Sequence, residues 1–294
     1  MKARLAIPVL LATILTLVSM SMAEAELGFK FSDVVISGAA ETDSYAINDK
    51  AQITGDYIDN SGNFHGFIMK GTKVTSFDAP NGGVDTQGFG INNDGVVVGW
   101  YINSANVTLG FRYKNGKFND INFPNSIETE CTGINDAGTI VGLYVDASGV
   151  QHGFKKLGNK YKTIDVKGAF ATTAWGINND NAVTVYGTDT SSNNTSYVLN
   201  YMGKKRVHVE VPGDAAPGTV IHTPNNTNDI DMTWFDSNGG GHGAILRSNG
   251  KFVTFDDPNA NNSTRADGLN VKLVVVGRYS PADGSTHGFK AVPK

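Results

Sequence analysis

The chain has 294 residues, 18% of them charged, with 24 Lys and Arg against 28 Asp and Glu and a formal net charge of −4. A mildly acidic balance without a Lys/Arg run argues against nucleic acid as a partner. The one cysteine, Cys131, leaves no internal disulfide, so stability has to come from core burial and sheet hydrogen bonds.

The N-terminus reads as a targeting segment. Lys2 and Arg4 precede an apolar stretch from Leu5 to about Val18, and Ala23-x-Ala25 fits the small-residue cleavage rule. Cleavage is expected after Ala25, leaving residues 26–294 as one domain in the periplasm or outside the cell. The apolar run is short for a bilayer span, and no second one follows, so no membrane span is expected after cleavage.

From residue 42 onward the chain repeats itself. Gly-Ile-Asn-Asn-Asp-Gly at 90–95 recurs as Gly-Ile-Asn-Asp-Ala-Gly at 133–138, and again, less completely, at 46–49, 176–180, 223–226 and 268–271. The anchor apolar residue of each copy is Ile47, Ile91, Ile134, Ile177, Pro224 and Leu269. The residue after it is Asn every time, and the residue five before it is Thr every time. Six units of one kind therefore fill the chain.

Each unit predicts four short strands, a to d. In the third, Thr129–Ile134, Thr139–Tyr144, His152–Lys156 and Tyr161–Val166 are apolar or aromatic runs separated by Asn-Asp-Ala-Gly, Asp-Ala-Ser-Gly and Gly-Asn-Lys turns. No segment carries a helical period. Four strands per unit predict an all-β fold, a six-bladed β-propeller of four-stranded blades. The last unit stops after strand c, at His287 to Val292, while residues 29–36 read as a strand d. The N-terminal strand is expected to complete the C-terminal blade. An open β-solenoid would not need its ends to be complementary halves of one unit.

The consensus Thr-x-x-x-Gly-Ile-Asn-Asp-x-Gly-x-Ile-Val-Gly-x-Tyr-x-Asp-x-x-Gly-x-x-His-Gly-Phe resembles the HAF-type extracellular repeat of secreted bacterial proteins. It is clearest at Gln87–Phe111 and Thr129–Phe154 and weakest over 181–245. The resemblance implies an extracellular, propeller-like protein and no defined activity.

Several residue sets invite a chemical reading. His65, His152, His242 and His287 share one repeat position, but successive blades point outward around a ring, so they cannot meet on one metal ion. They are expected to bond a neighbouring loop or blade. The Asp-x-x-Gly turns, such as Asp59 to Asn63, lack the closing acid of a calcium loop. Asn225 to Asp231 is the segment richest in oxygen ligands. Cys131 occupies a small-residue position and is expected to be buried and inert. No catalytic motif, cofactor motif or committed metal site is present. The recurrent Asn and Thr read as scaffold: Asn bonds its own turn and Thr ties down the start of strand a.

The positions where the copies disagree are more telling. Two before the anchor stand Tyr45, Phe89, Thr132, Trp175, His222 and Asp267, and four before it stand Asp43, Gln87, Glu130, Thr173, Val220 and Arg265. Both sets fall on one side of strand a, which is innermost in a propeller. Their aromatic, acidic, basic and amide chemistry suits a pocket at the mouth of the axis. The candidate ligand-binding residues are Asp43, Tyr45, Gln87, Phe89, Glu130, Trp175, His222, Arg265 and Asp267.

The leading expectation is a secreted, monomeric propeller that binds a small ligand, a glycan or a surface protein at this mouth. A secreted lyase or hydrolase using His222 with Asp267, Glu130 or Asp43 is the alternative. A structural envelope or matrix protein, without convergence of these side chains, is the third.

Overall fold

The computed structural model describes residues 28–294, so the targeting segment expected at 1–25 lies outside the described residues. Strands and turns make up this part of the chain, with no helix among the described residues. Blade 1 is β2 (Ala39–Ile47), β3 (Gln52–Asp59), β4 (Phe64–Lys70) and β5 (Lys73–Phe77). Blade 2 is β6 (Val84–Ile91), β7 (Val97–Ile102), β8 (Thr108–Lys114) and β9 (Lys117–Ile121). Blade 3 is β10 (Glu128–Ile134), β11 (Ile140–Val145), β12 (Gln151–Leu157) and β13 (Lys160–Ile164). Blade 4 is β14 (Ala171–Ile177), β15 (Val183–Thr188), β16 (Asn194–Tyr201) and β17 (Lys204–Val209). Blade 5 is β18 (Val220–Pro224), β19 (Ile230–Phe235), β20 (Gly241–Leu246) and β21 (Phe252–Phe255). Blade 6 is β22 (Ser263–Leu269), β23 (Val275–Ser280) and β24 (His287–Pro293), and its fourth strand is β1 (Phe29–Val34).

The β1 strand pairs antiparallel with β24, from Phe29 opposite Pro293 to Val34 opposite Gly288. The N-terminal strand thus takes the place of the missing strand d, as the two incomplete ends of the repeat require.

A second set of bonds runs around the axis. Asn48 Nδ2 donates to the carbonyl of Asn92, Asn92 to Asn135, Asn135 to Asn178, Asn178 to Asn225, Asn225 to Asn270, and Asn270 back to Asn48. The recurrent Asn does bond its own turn, as when Asn135 Oδ1 accepts from the Thr139 amide at 2.9 Å. Its amide group also stitches each blade to the next. These Asn side chains are buried, and a buried polar group is stable only when its partners are supplied. The recurrent Thr works between blades too. Thr86, Thr129, Thr172, Thr219 and Thr264 each accept from a backbone N–H at the end of the preceding blade.

The core lies between blades, where the strand-c Phe67, Phe111, Phe154 and Phe289 have no exposed surface. Burying each contributes roughly 2–3 kcal/mol. Strand a carries an irregularity at the same place in all six blades, at the residue two before the anchor. A bulge re-aims the side chain it skips, so each blade turns one variable residue toward the axis. The glycine opposite this turn is required by crowding: a Cβ on Gly55, Gly99, Gly142 or Gly277 would lie within 2 Å of a strand-a carbonyl oxygen.

Candidate functional site

The two ends of the axis differ. At the a–b turn end, the residues after the recurrent Asn form a polar ring. Asn93 Nδ2 donates to Asp49 and Asp136 at 3.0 and 2.9 Å, Asn179 Nδ2 to Asp136 at 2.7 Å, and Asn226 Nδ2 to Asp49 at 3.2 Å. The side-chain oxygens of these five residues also accept backbone N–H groups from neighbouring blades, as Asp136 Oδ1 does from Asn93. Only a small cavity of about 60 Å³ remains beside them.

At the other end, a cavity of about 820 Å³ opens between blades 2, 3 and 4. Its aromatic wall is Phe89 and Trp100 from blade 2, and Phe170, Trp175 and Tyr186 from blade 4. Phe89 meets Trp175 edge-on with ring centres 5.7 Å apart, and lies nearly parallel to Trp100 at 6.4 Å. Glu130, Thr132, Gln151, Thr173 and Asp189 supply polar groups. Several of these are held in place: Gln151 donates to the Thr173 hydroxyl at 2.9 Å, and Thr132 to the carbonyl of Ala174 at 2.7 Å. Asp189 is tied into its turn by the amides of Ser191 and Asn193. Glu130 is partly buried and makes no side-chain hydrogen bond among the described residues. Burial, with Glu128 nearby, pushes its carboxyl up to about 7. The indole N–H of Trp100 is buried and has no partner among the described residues.

Of the nine candidate residues, Phe89, Glu130 and Trp175 line this cavity. Asp43, Tyr45, His222, Arg265 and Asp267 belong to a second group, contributed by blades 5, 6 and 1. Tyr45 stacks on Phe89 with ring centres 4.2 Å apart and donates to Asp43 at 3.1 Å. The Arg278 guanidinium lies 3.3 Å from Asp43 and covers the Tyr45 ring. His222 is wholly buried, 3.7 Å from Asp267 and 3.9 Å from Asp231, with its ring centre 5.1 Å from that of Trp175. Those separations are too long for hydrogen bonds. Burial lowers the His222 pKa to about 4, so the ring is neutral near pH 7. Burial also holds Asp56 and Asp231 well above the usual carboxylate range. Gln87 sits on the Phe89 strand, opposite Trp100, and does not line the cavity. The set read from strand a is therefore divided into an open aromatic pocket and a closed polar group.

A third variable set went unread in the sequence. Nine after the anchor, on strand b, stand Asp56, Trp100, Leu143, Tyr186, Thr233 and Arg278. Each pairs with the residue four before the anchor, from Asp43 with Asp56 to Arg265 with Arg278. Cross-strand partners share a face, so this set also faces the axis. Trp100, Leu143 and Tyr186 line the pocket. The signal was available: the six copies disagree here as much as they do on strand a.

The recurrent histidines serve their own blades. His65, His152 and His242 each sit between an Asp of the b–c turn, at 3.4 Å, and an Asp at the end of strand d, at 2.7–2.9 Å. A bond to another blade was one expectation, and the partners lie instead within the same blade. Asp229, in the oxygen-rich turn, is engaged by Arg247, Ser248 and Thr227. Among the described residues, no group of three or more His, Cys, Asp or Glu could hold a metal ion. Cys131 is fully buried, and burial raises its thiol pKa.

No family model matches the chain, and no curated protein matches it in sequence. Solved structures do match in shape. The lectin of the fungus Aleuria aurantia, solved with Fucα1-6GlcNAc, is 13% identical with a TM-score of 0.55, over 88% of this chain and 93% of that one. The SapL1 lectin, in complex with α-methyl fucoside, is 11% identical with a TM-score of 0.56, over 87% of this chain and 95% of that one. The Aleuria aurantia fold is a six-bladed β-propeller. So is the fold of this chain. A gluconolactonase from Xanthomonas campestris is equally distant, at 11% identity and a TM-score of 0.52, over 92% of this chain and 96% of that one. Binding proteins and an enzyme share the propeller, so the fold does not choose between them.

Proposed function

We propose that the chain is a secreted carbohydrate-binding propeller of the HAF-repeat type, taking a neutral sugar unit in the pocket between blades 2, 3 and 4. One observation carries the reading: Phe89, Trp100 and Trp175 line the cavity together with the Glu130 carboxyl and the buried Trp100 N–H, which has no partner among the described residues. An apolar wall with a few convergent polar groups is the form of a small-ligand site. Sugar rings offer apolar C–H faces to the aromatics and hydroxyls to the polar groups. The fucose-binding lectins of the same fold support the reading, because a propeller of this size can hold such a ligand.

Titration with a panel of mono- and oligosaccharides tests it. Trp100 and Trp175 line the pocket and Trp234 is the only other tryptophan, so intrinsic fluorescence reports occupancy. A fluorescence change that saturates, and an affinity lowered about tenfold or more by Trp175→Ala, is the expected result. If no saccharide changes the emission, or if Trp175→Ala and Phe89→Ala both leave binding intact, the reading fails.

The acid–base alternative finds less support. His222 and Asp267 are close to each other, but both are buried and neither lines the pocket that holds Glu130.

A further inference from the structure

The sequence has no long basic run, yet the fold gathers its lysines. Strand c ends and strand d begins at the face of the ring opposite the pocket, and the c–d hairpins of blades 1, 2, 3 and 5 carry Lys or Arg on both arms, that of blade 4 on its strand-d arm alone. In blades 3 and 4 this is most concentrated. One hairpin brings Lys155, Lys156, Lys160 and Lys162, and its neighbour brings Lys204, Lys205 and Arg206. No Asp or Glu lies between Phe154 and Ile164, or between Asn194 and Val209. Among the described residues none of these seven cations is in an ion pair: Lys155 donates to Asn181, Lys156 to the carbonyl of Gly158, and Arg206 lies over the Tyr197 ring.

The same two tips carry exposed apolar side chains. Leu157 is 56% exposed and Met202 is 55% exposed, each followed by the glycine of its turn. The hairpin tips of blades 1, 2 and 5 are Gly-Thr, Asn-Gly and Ser-Asn-Gly, with no apolar residue. In blade 5, Arg247 is paired with Asp229.

We propose that the c–d hairpins of blades 3 and 4 form a docking surface for an anionic lipid bilayer. Unpaired cations around projecting Leu and Met side chains match the two layers of a membrane interface: phosphate headgroups attract the lysines, and the acyl boundary takes the apolar tips. A soluble polyanion would use the charge but gain nothing from exposed Leu157 and Met202. The inference is independent of the sugar pocket, which opens on the other face.

The test is co-sedimentation of the chain from Glu26 onward, which contains every strand of the ring, with vesicles of phosphatidylglycerol and phosphatidylcholine. Binding is expected to need the anionic lipid and to weaken as salt rises. Each neutralised lysine is expected to lower partition about fivefold, so Lys160→Gln, Lys204→Gln and Lys205→Gln together lower it roughly a hundredfold. Leu157→Ser with Met202→Ser is expected to lower it roughly tenfold without changing the response to salt. Lys70→Gln with Lys73→Gln, on blade 1 across the ring, is expected to have little effect. Unchanged melting temperatures show that the variants fold. Equal binding to pure phosphatidylcholine, indifference to the Leu157 and Met202 changes, equal loss in the blade 1 variant, or binding to heparin without binding to vesicles would each overturn the proposal.

Discussion

Replacing Asn135 by Ala tests whether the ring of Asn side chains holds the blades together. Asn135 makes two side-chain bonds: Oδ1 accepts from the Thr139 amide at 2.9 Å, and Nδ2 donates to the Asn178 carbonyl at 3.1 Å. The Asn178 carbonyl keeps the Asn181 amide as a partner, but the Thr139 amide is left without one in a buried site. Two lost bonds at about 1 kcal/mol each, plus about 1 kcal/mol for the orphaned amide, give a destabilisation of about 3 kcal/mol. For a domain of this size that lowers Tm by roughly 6–12 °C. Asn103 is the control. Its Oδ1 accepts from Ala105 and Val107 in a solvent-facing turn and it makes no bond to another blade, so Asn103→Ala is expected to lose under about 1 kcal/mol. Asn135→Asp separates the two functions. It keeps the acceptor for Thr139 but sets an oxygen against the Asn178 carbonyl, and is expected to destabilise at least as much as Ala. Urea denaturation of the three variants decides the matter. If Asn135→Ala loses no more than Asn103→Ala, or Asn135→Asp is neutral, the inter-blade bonds do not support the ring.

Phe154→Ala removes a fully buried ring from the packing of blade 3 and is expected to destabilise by about 3–5 kcal/mol, read from urea midpoints at unchanged slope. Gly99→Ala places a Cβ 1.8 Å from the Gln87 carbonyl oxygen, so soluble yield or Tm should fall sharply, whereas Gly116→Ala in an open turn should lose only about 1 kcal/mol through its positive φ. Glu130 predicts a pH dependence. Its carboxyl binds a proton up to about pH 7 in the folded chain but only to its ordinary value of 4.5 when unfolded, so the native state holds more protons in that window. Stability should fall as pH rises from about 4.5 to 7, by on the order of 3 kcal/mol, and level off above, and Glu130→Gln should flatten this component. A Glu130→Gln profile that parallels the wild type would refute it.

The repeat made the architecture legible, because an anchor, an Asn and a Thr recurred in all six copies and the two chain ends were complementary. What those recurrent residues do was only half visible. The turn bond of Asn135 follows from its place in the turn, but the bond to Asn178 exists only once two blades are side by side. The histidine partners were left open between a neighbouring loop and a neighbouring blade for a related reason: Asp78 lies 13 residues from His65, and only the pairing of strands c and d brings them together. Within the site, alternation on strand a picked out nine residues, of which Phe89, Glu130 and Trp175 line the pocket. It could not show that stacking of Tyr45 on Phe89 and packing of Trp175 over His222 would divide them, since that depends on side-chain volumes meeting across the axis. Strand b was read only as an apolar and aromatic run, so Trp100 and Tyr186 were passed over although their positions vary among the blades as strongly as any.

The polar ring of Asp49, Asn93, Asp136, Asn179 and Asn226 has a consequence for traffic through the molecule. With that end laced by side-chain bonds, the axis is a well with one door, not a tube. Whatever enters beside Trp175 must back out the same way. A long polymer can present an end or a side branch to the pocket but cannot be threaded through the ring.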